Sequence, residues 1–133
     1  MMTDRKIVMI VEDEPDTAEM FAEMMRMKGY YVVKSLGGKK AIQMIAHELP
    51  DVLMLDVMMP ELSGLEILHS MHNDPVLSKI PVIVVSAKGL PSDIRSGLEA
   101  GASIYLTKPV SFQDLSFAVE DVLRKEKVDR ISK

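Results

Sequence analysis

Several apolar runs in this chain end on residues that can do chemistry. Lys6–Val11 (K-I-V-M-I-V) stops at Glu12 and Asp13, and Val52–Leu55 stops at Asp56. Pro81–Ser86 closes on Ser86, and Ser103–Thr107 is followed by Lys108. A short apolar run between turn signals suits a strand buried on both faces. After Asp56 come Val57, Met58, Met59 and then Pro60, which cannot donate to a ladder. Asp56 therefore belongs at the carboxyl end of a central strand, the rim at which open α/β sheets bind ligands. If the strands are parallel, Glu12, Asp13, Asp56, Ser86 and Lys108 share that rim. Two carboxylates ~4 Å apart repel by about 4 kcal/mol at an effective dielectric of roughly 20. A hard divalent cation relieves this, and oxygen ligands with retained waters suit Mg²⁺. A lysine and a hydroxyl beside the carboxylates suit an anionic group. These residue types ask for Mg²⁺ and a phosphoryl group. The chain has no Gly-rich phosphate loop of either common type, so a bound nucleotide is not expected. Each residue taken singly has a plainer reading. Glu12 and Asp13 alone would be first-turn acids, Tyr105 a strand residue and Lys108 a solvated surface lysine. Their joint placement on one rim argues against all the plain readings together.

The elements that must position these residues alternate. Strand one is followed by a helix from Pro15 to about Lys28, with Thr17, Met20, Phe21, Met24 and Met25 as a core-facing stripe. Pro near a helix start is well placed, acids there complement the dipole, and Gly29 ends the helix. Strand two is Tyr30–Leu36, and a helix over about Lys39–Glu48 turns Ala41, Ile42 and Ile45 inward. A third helix covers about Gly64–His72 with Leu65 and Leu68 as its apolar face. A fourth, with Ile94 and Leu98 inward, runs to Ala100 and is closed by Gly101. Ser111 is the expected N-cap of a last helix carrying Leu115, Val119, Val122 and Leu123. Five repeats of strand then helix mean an α/β domain of three layers, a parallel sheet with helices on both faces and right-handed crossovers. The domain is expected over residues 1–125, with a charged tail over 126–133.

Composition excludes several classes. A chain of 133 residues with 47% hydrophobic residues favours one ordered domain. Its net charge of −4 offers no basic stripe for nucleic acid. Without cysteine it has no disulfide framework and no thiol chemistry. No stretch approaches the ~20 apolar residues of a membrane span, and no secretory leader is evident. A cytoplasmic domain is expected. The 12 methionines read as core filler. His69 and His72 are three apart on a helix but have no third ligand in the sequence, so they are not expected to bind metal.

E-D-E (12–14), D-V-M-M-P-E-L-S-G (56–64), P-V-I-V-V-S-A (81–87) and Y-L-T-K-P (105–109) resemble a two-component response-regulator receiver domain of the CheY type. The resemblance spans essentially the whole chain. It implies a (βα)5 flavodoxin-like fold with strand order 2-1-3-4-5. It implies that Asp56 is the phosphoacceptor and that Asp13, Asp56 and the Met58 backbone carbonyl bind Mg²⁺, with Glu12 assisting. Lys108 would pair with the phosphoryl oxygens. Ser86 would hydrogen-bond the phosphoryl group and, with Tyr105, form a conformational switch. The Lys108–Pro109 bond is expected to be cis. Met58 and Lys88 would flank the path of attacking water and tune the lifetime of the phosphorylated state.

The partners implied are a sensor histidine kinase or a histidine phosphotransfer protein. A homodimer through helix 4, strand 5 and helix 5 is a further expectation, with Arg95, Glu99 and Lys125 offering ion pairs. The implied activity is self-modification, not turnover. The alternative is a pseudo-receiver, a binding module that works without phosphorylation; the intact Glu12, Asp13, Asp56, Ser86 and Lys108 speak against it. A phosphatase on this architecture would want a second Asp two residues after Asp56, where Met58 stands. The sequence suits a stand-alone regulator and a domain of a larger regulator or hybrid kinase alike.

Overall fold

The computed structural model describes residues 5–60 and 62–132, with side chains as far as Lys125. The elements alternate as β1 (Ile7–Val11), α1 (Pro15–Met27), β2 (Tyr31–Ser35), α2 (Ala41–Glu48), β3 (Val52–Leu55) and α3 (Gly64–His72). After a 3₁₀ turn at Leu77–Lys79 come β4 (Val82–Ser86), α4 (Pro91–Glu99), β5 (Ile104–Thr107) and α5 (Phe112–Ser132). The strands form one sheet in the order β2-β1-β3-β4-β5, with every neighbouring pair parallel. This is the expected three-layer (βα)5 flavodoxin-like fold.

The period of two along each strand builds the layers. Val8, Ile10, Val52, Met54, Ile83 and Val85 face Phe21, Ala22 and Met25 of α1 and Leu115, Ala118, Val119 and Val122 of α5. The alternate residues Met9, Val11, Leu53, Leu55, Val82 and Val84 face α2, α3 and the segment after α4. β3 and β4 are buried throughout, as strands covered on both faces must be.

Two expected inward residues differ: Met20 is 46% exposed and Leu98 is 45% exposed. Leu65 is half-buried and packs against the core beside the buried Ile67, Leu68 and Met71. In each helix small or neighbouring residues take the inner position: Ala18 and Ala22 in α1, Gly97 in α4. α5 crosses the expected boundary at residue 125 and runs to Ser132. Asp121 pairs with Arg124 at 2.6 Å and Lys125 at 3.1 Å, spacings that support a continuing helix. The side chains of the tail 126–133 lie outside the described residues.

Candidate functional site

The rim is built from strand ends. β1 ends at Val11, so Glu12 and Asp13 enter the loop above it, while Asp56 follows β3 directly. The Asp56 N–H donates to the Val11 carbonyl at 3.1 Å and the Glu12 N–H to the Ser35 carbonyl at 3.1 Å. These bonds continue the sheet pattern one residue past the strands and hold both carboxylates in place. Ser86 is the last residue of β4 and fully buried. The Lys108 N–H donates to the Ser86 carbonyl at 2.8 Å.

Carboxylate oxygens of Glu12, Asp13 and Asp56 lie within 4.8 Å of one another. Glu12 and Asp56 are buried, with residue exposures of 3% and 6%. Lys108 reaches both: its Nζ donates to Glu12 Oε1 at 2.8 Å and to Asp56 Oδ2 at 3.0 Å. Lys108 is thus shared by two of the three clustered carboxylates. Burial pushes the Glu12 carboxyl above its ordinary pKa; the Lys108 hydrogen bond opposes this and nearby Asp56 adds to it. Burial works against the Lys108 charge, but hydrogen bonds to Glu12 and Asp56 outweigh it and raise its pKa. The remaining Asp56 oxygen, Oδ1, accepts the Met58 N–H at 2.8 Å. The Lys108–Pro109 peptide bond is cis.

The expected residues Glu12, Asp13, Asp56 and Lys108 come together directly. Met58 is 48% exposed, and its N–H orients Asp56. Lys88 has an exposed side chain. Its backbone does more: the Lys88 N–H donates to Ser86 Oγ at 3.2 Å, and its carbonyl accepts the Tyr105 hydroxyl at 2.7 Å. Burial raises the Tyr105 phenol pKa. Glu14 is not a site ligand. It caps α1, accepting the Thr17 N–H at 2.7 Å and the Thr17 hydroxyl at 2.8 Å. His69 and His72 are exposed and join no group of three ligands among the described residues.

Gly64 was legible only as part of a motif. A Cβ there would lie 2.5 Å from the Asp56 carbonyl oxygen and 2.6 Å from Val57 Cα. The glycine therefore lets α3 start hard against the strand end that carries Asp56. Ser63 caps that helix with a capping box to Glu66. Among the described residues, no helix is long and apolar enough to cross a membrane.

Residues 8–120 match the family model described as the response regulator receiver domain. The chain is 36% identical over 120 residues, 90% of its length, to the phosphate regulon transcriptional regulatory protein PhoB of Pseudomonas aeruginosa, of which it covers 52%. It spans about half the length of the curated relatives it matches, as with PhoB. Among solved structures it is similar to a Francisella response regulator receiver domain (27% identity, TM-score 0.85, covering 91% of this chain and 98% of that one). It is also similar to the receiver domain of a signal transduction histidine kinase from Syntrophus aciditrophicus (31% identity, TM-score 0.83, covering 90% and 91%).

Proposed function

This chain belongs to the response regulator receiver domain family, and from that premise we propose that Asp56 is its phosphoacceptor, charged by a sensor histidine kinase or a histidine phosphotransfer protein. The observation that carries the reading is the pair Asp56 Oδ2–Lys108 Nζ at 3.0 Å beside the clustered carboxylates of Glu12 and Asp13. An oxygen-only donor set of this charge fits Mg²⁺. Asp13, Asp56 and the Met58 carbonyl would hold the ion, Glu12 would assist, and the ion would supply charge neutralisation for the transferring phosphoryl group.

The chain's own residues do the rest. The Asp56 carboxylate forms a P–O bond as the donor's P–N bond breaks; the departing imidazole takes up a proton. The product is an acyl phosphate. Lys108 moves its ion pair from Asp56 to the phosphoryl oxygens, and the Ser86 hydroxyl donates to the same group. Catalysis is mostly positioning and charge compensation. The activity is self-phosphorylation and self-dephosphorylation, without turnover of a separate substrate. A phosphorylation-independent pseudo-receiver gains nothing from a half-buried lysine shared by two buried carboxylates.

The output we propose is a homodimer through α4, β5 and α5. Leu98 and Phe117 are 45% and 66% exposed there, and Arg95 and Glu99 are exposed on α4. Lys125 is engaged by Asp121 within α5. PhoB is named a transcriptional regulator, so the expected lack of nucleic-acid contact concerns these 133 residues alone. A cytoplasmic place of action goes with transfer from a kinase.

The test is labelling with acetyl phosphate and Mg²⁺, followed by mass mapping. The wild type is expected to carry one phosphoryl group, on Asp56. Labelling of Asp56→Asn to the wild-type extent would refute the assignment. Met58 also shields the acyl phosphate in this reading, with Lys88 occluding it further. A thioether is a weak acceptor that cannot orient water as an amide does. Met58→Asn is expected to release phosphate faster, with unchanged Mg²⁺ affinity.

A further inference from the structure

Gly97 is the buried residue of α4, and it faces Tyr105. A Cβ built on Gly97 would lie 2.7 Å from Cδ2 and 2.8 Å from Cε2 of the Tyr105 ring, well inside the ~3.5–4.0 Å of carbon contacts. The ring occupies the space a side chain would fill. Glycine within a helix weakens folding about fivefold relative to alanine, so the empty space is costly unless the ring uses it. From this seat the Tyr105 hydroxyl reaches the Lys88 carbonyl, and the Lys88 N–H reaches Ser86 Oγ. One residue's backbone therefore joins the buried hydroxyl at the rim to the aromatic ring under α4. Gly89 repeats the device, since a Cβ there would lie 2.8 Å from Thr107 Cγ2. Tyr105 and Thr107 are two apart on β5 and share a face. The two glycines let α4 and its leading loop lie close on that face.

We infer that Gly97 is a positioning residue: it keeps open the seat from which the Tyr105 ring reaches the Lys88 carbonyl, and so decides whether Ser86 and the ring can respond together. The responding half of this inference rests on the phosphoryl role proposed for Ser86; the seat itself does not. With alanine at 97, the ring must give way, while α4 gains helix propensity. The two effects oppose each other and can be separated.

A double-mutant cycle in urea separates them. Gly97→Ala alone is expected to leave the folding equilibrium constant unchanged or lower. In a Tyr105→Ala background the same substitution is expected to raise it about fivefold. An equal rise in both backgrounds overturns the inference. The second arm adds beryllofluoride and Mg²⁺ and follows amide shifts. In the wild type these are expected over residues 87–100 and 103–108; in Gly97→Ala they are expected to stop short of α4. A wild-type spread in Gly97→Ala overturns the coupling. Absence of any response in the wild type overturns the phosphoacceptor reading instead, and the urea cycle then decides the seat.

Discussion

Asp51 and Asp56 stand at opposite ends of β3. At the amino end, the Asp51 carboxylate accepts the Ile7 N–H at 2.7 Å, and the Asp51 N–H donates to the Ile7 carbonyl at 2.9 Å. Lys6 Nζ is 4.0 Å away. This carboxylate closes a reciprocal clamp between β1 and β3. At the carboxyl end, Asp56 shares one lysine with Glu12 and sits beside Asp13. The same side chain type is thus spent on cohesion at one end and left in excess negative charge at the other. An acid that satisfies a donor stabilises the fold; acids that crowd each other mark the place where a cation and an anionic group belong.

Exchanging the roles of the two aspartates gives the largest effect. Asp51→Ala is expected to accept phosphate like the wild type but to lose about 1.5–3 kcal/mol of stability, because the Ile7 N–H loses a charged acceptor. Asp56→Asn is expected to lose labelling altogether and to be at least as stable as the wild type without metal. Urea melts and labelling of both variants check this. Comparable destabilisation by both would erase the contrast between the ends.

Mg²⁺ sharpens the contrast at the next level. At tenfold its dissociation constant it is expected to stabilise the wild type by about 1.4 kcal/mol. Asp51→Ala should keep the whole increment and Asp13→Ala should lose most of it. Metal-free Asp13→Ala should melt no lower than the wild type, since like charge has been removed. Thermal melts with and without Mg²⁺ measure both. An undiminished increment in Asp13→Ala would exclude it as a ligand.

Titration gives a third, smaller difference. The folded-state pKa of Glu12 is raised above its ordinary value, chiefly by burial. Its contribution to stability is therefore fully present below the ordinary carboxylate range and is lost as pH rises through the raised value. Metal-free stability should decline over that window, and Glu12→Gln should flatten the decline. Added Mg²⁺ should oppose it, because the ion favours the ionised form. The readout is the urea midpoint against pH; an identical profile in Glu12→Gln would remove Glu12 as the source.

The smallest effect belongs to the amino end. Leu49 caps α2 with φ 46° and ψ 61°, in the left-handed region, and is 50% exposed. A side chain there costs energy that glycine avoids. Leu49→Gly is expected to stabilise by up to about 1 kcal/mol and to leave labelling and Mg²⁺ binding untouched. A loss of stability would mean that the leucine side chain contributes more than the backbone strain costs.

Much of this was legible in the sequence because strand ends are. Hydrophobic runs that stop on Glu12, Asp56 and Ser86 tell where each strand meets the rim, and parallel topology then brings the ends together. The order of the strands came from family resemblance, since alternation alone does not choose it. What was not legible depends on distance between elements. The Asp51 clamp is one case, because nothing local says that its carboxylate will face Ile7. Leu98 read as core because its neighbour Gly97 has no side chain to declare itself inward. The Lys88 backbone went unread, since only its side chain varies with sequence. Met20 fitted the periodic stripe of α1, but Ala18 and Ala22 take the inner position.

The Lys108–Glu12 bond joins residues 96 apart in the chain. Asp56 lies near the middle of that interval, so on a ribosome it emerges long before the lysine that completes its surroundings. Half a chain holds an ordinary aspartate. The chemistry becomes available only when β5 has paired with β4 and carried Lys108 across the sheet, a late event in any topology built on distant contacts. On the proposed reading, charging of Asp56 requires the completed sheet, so an unfinished or misassembled copy is expected not to be labelled.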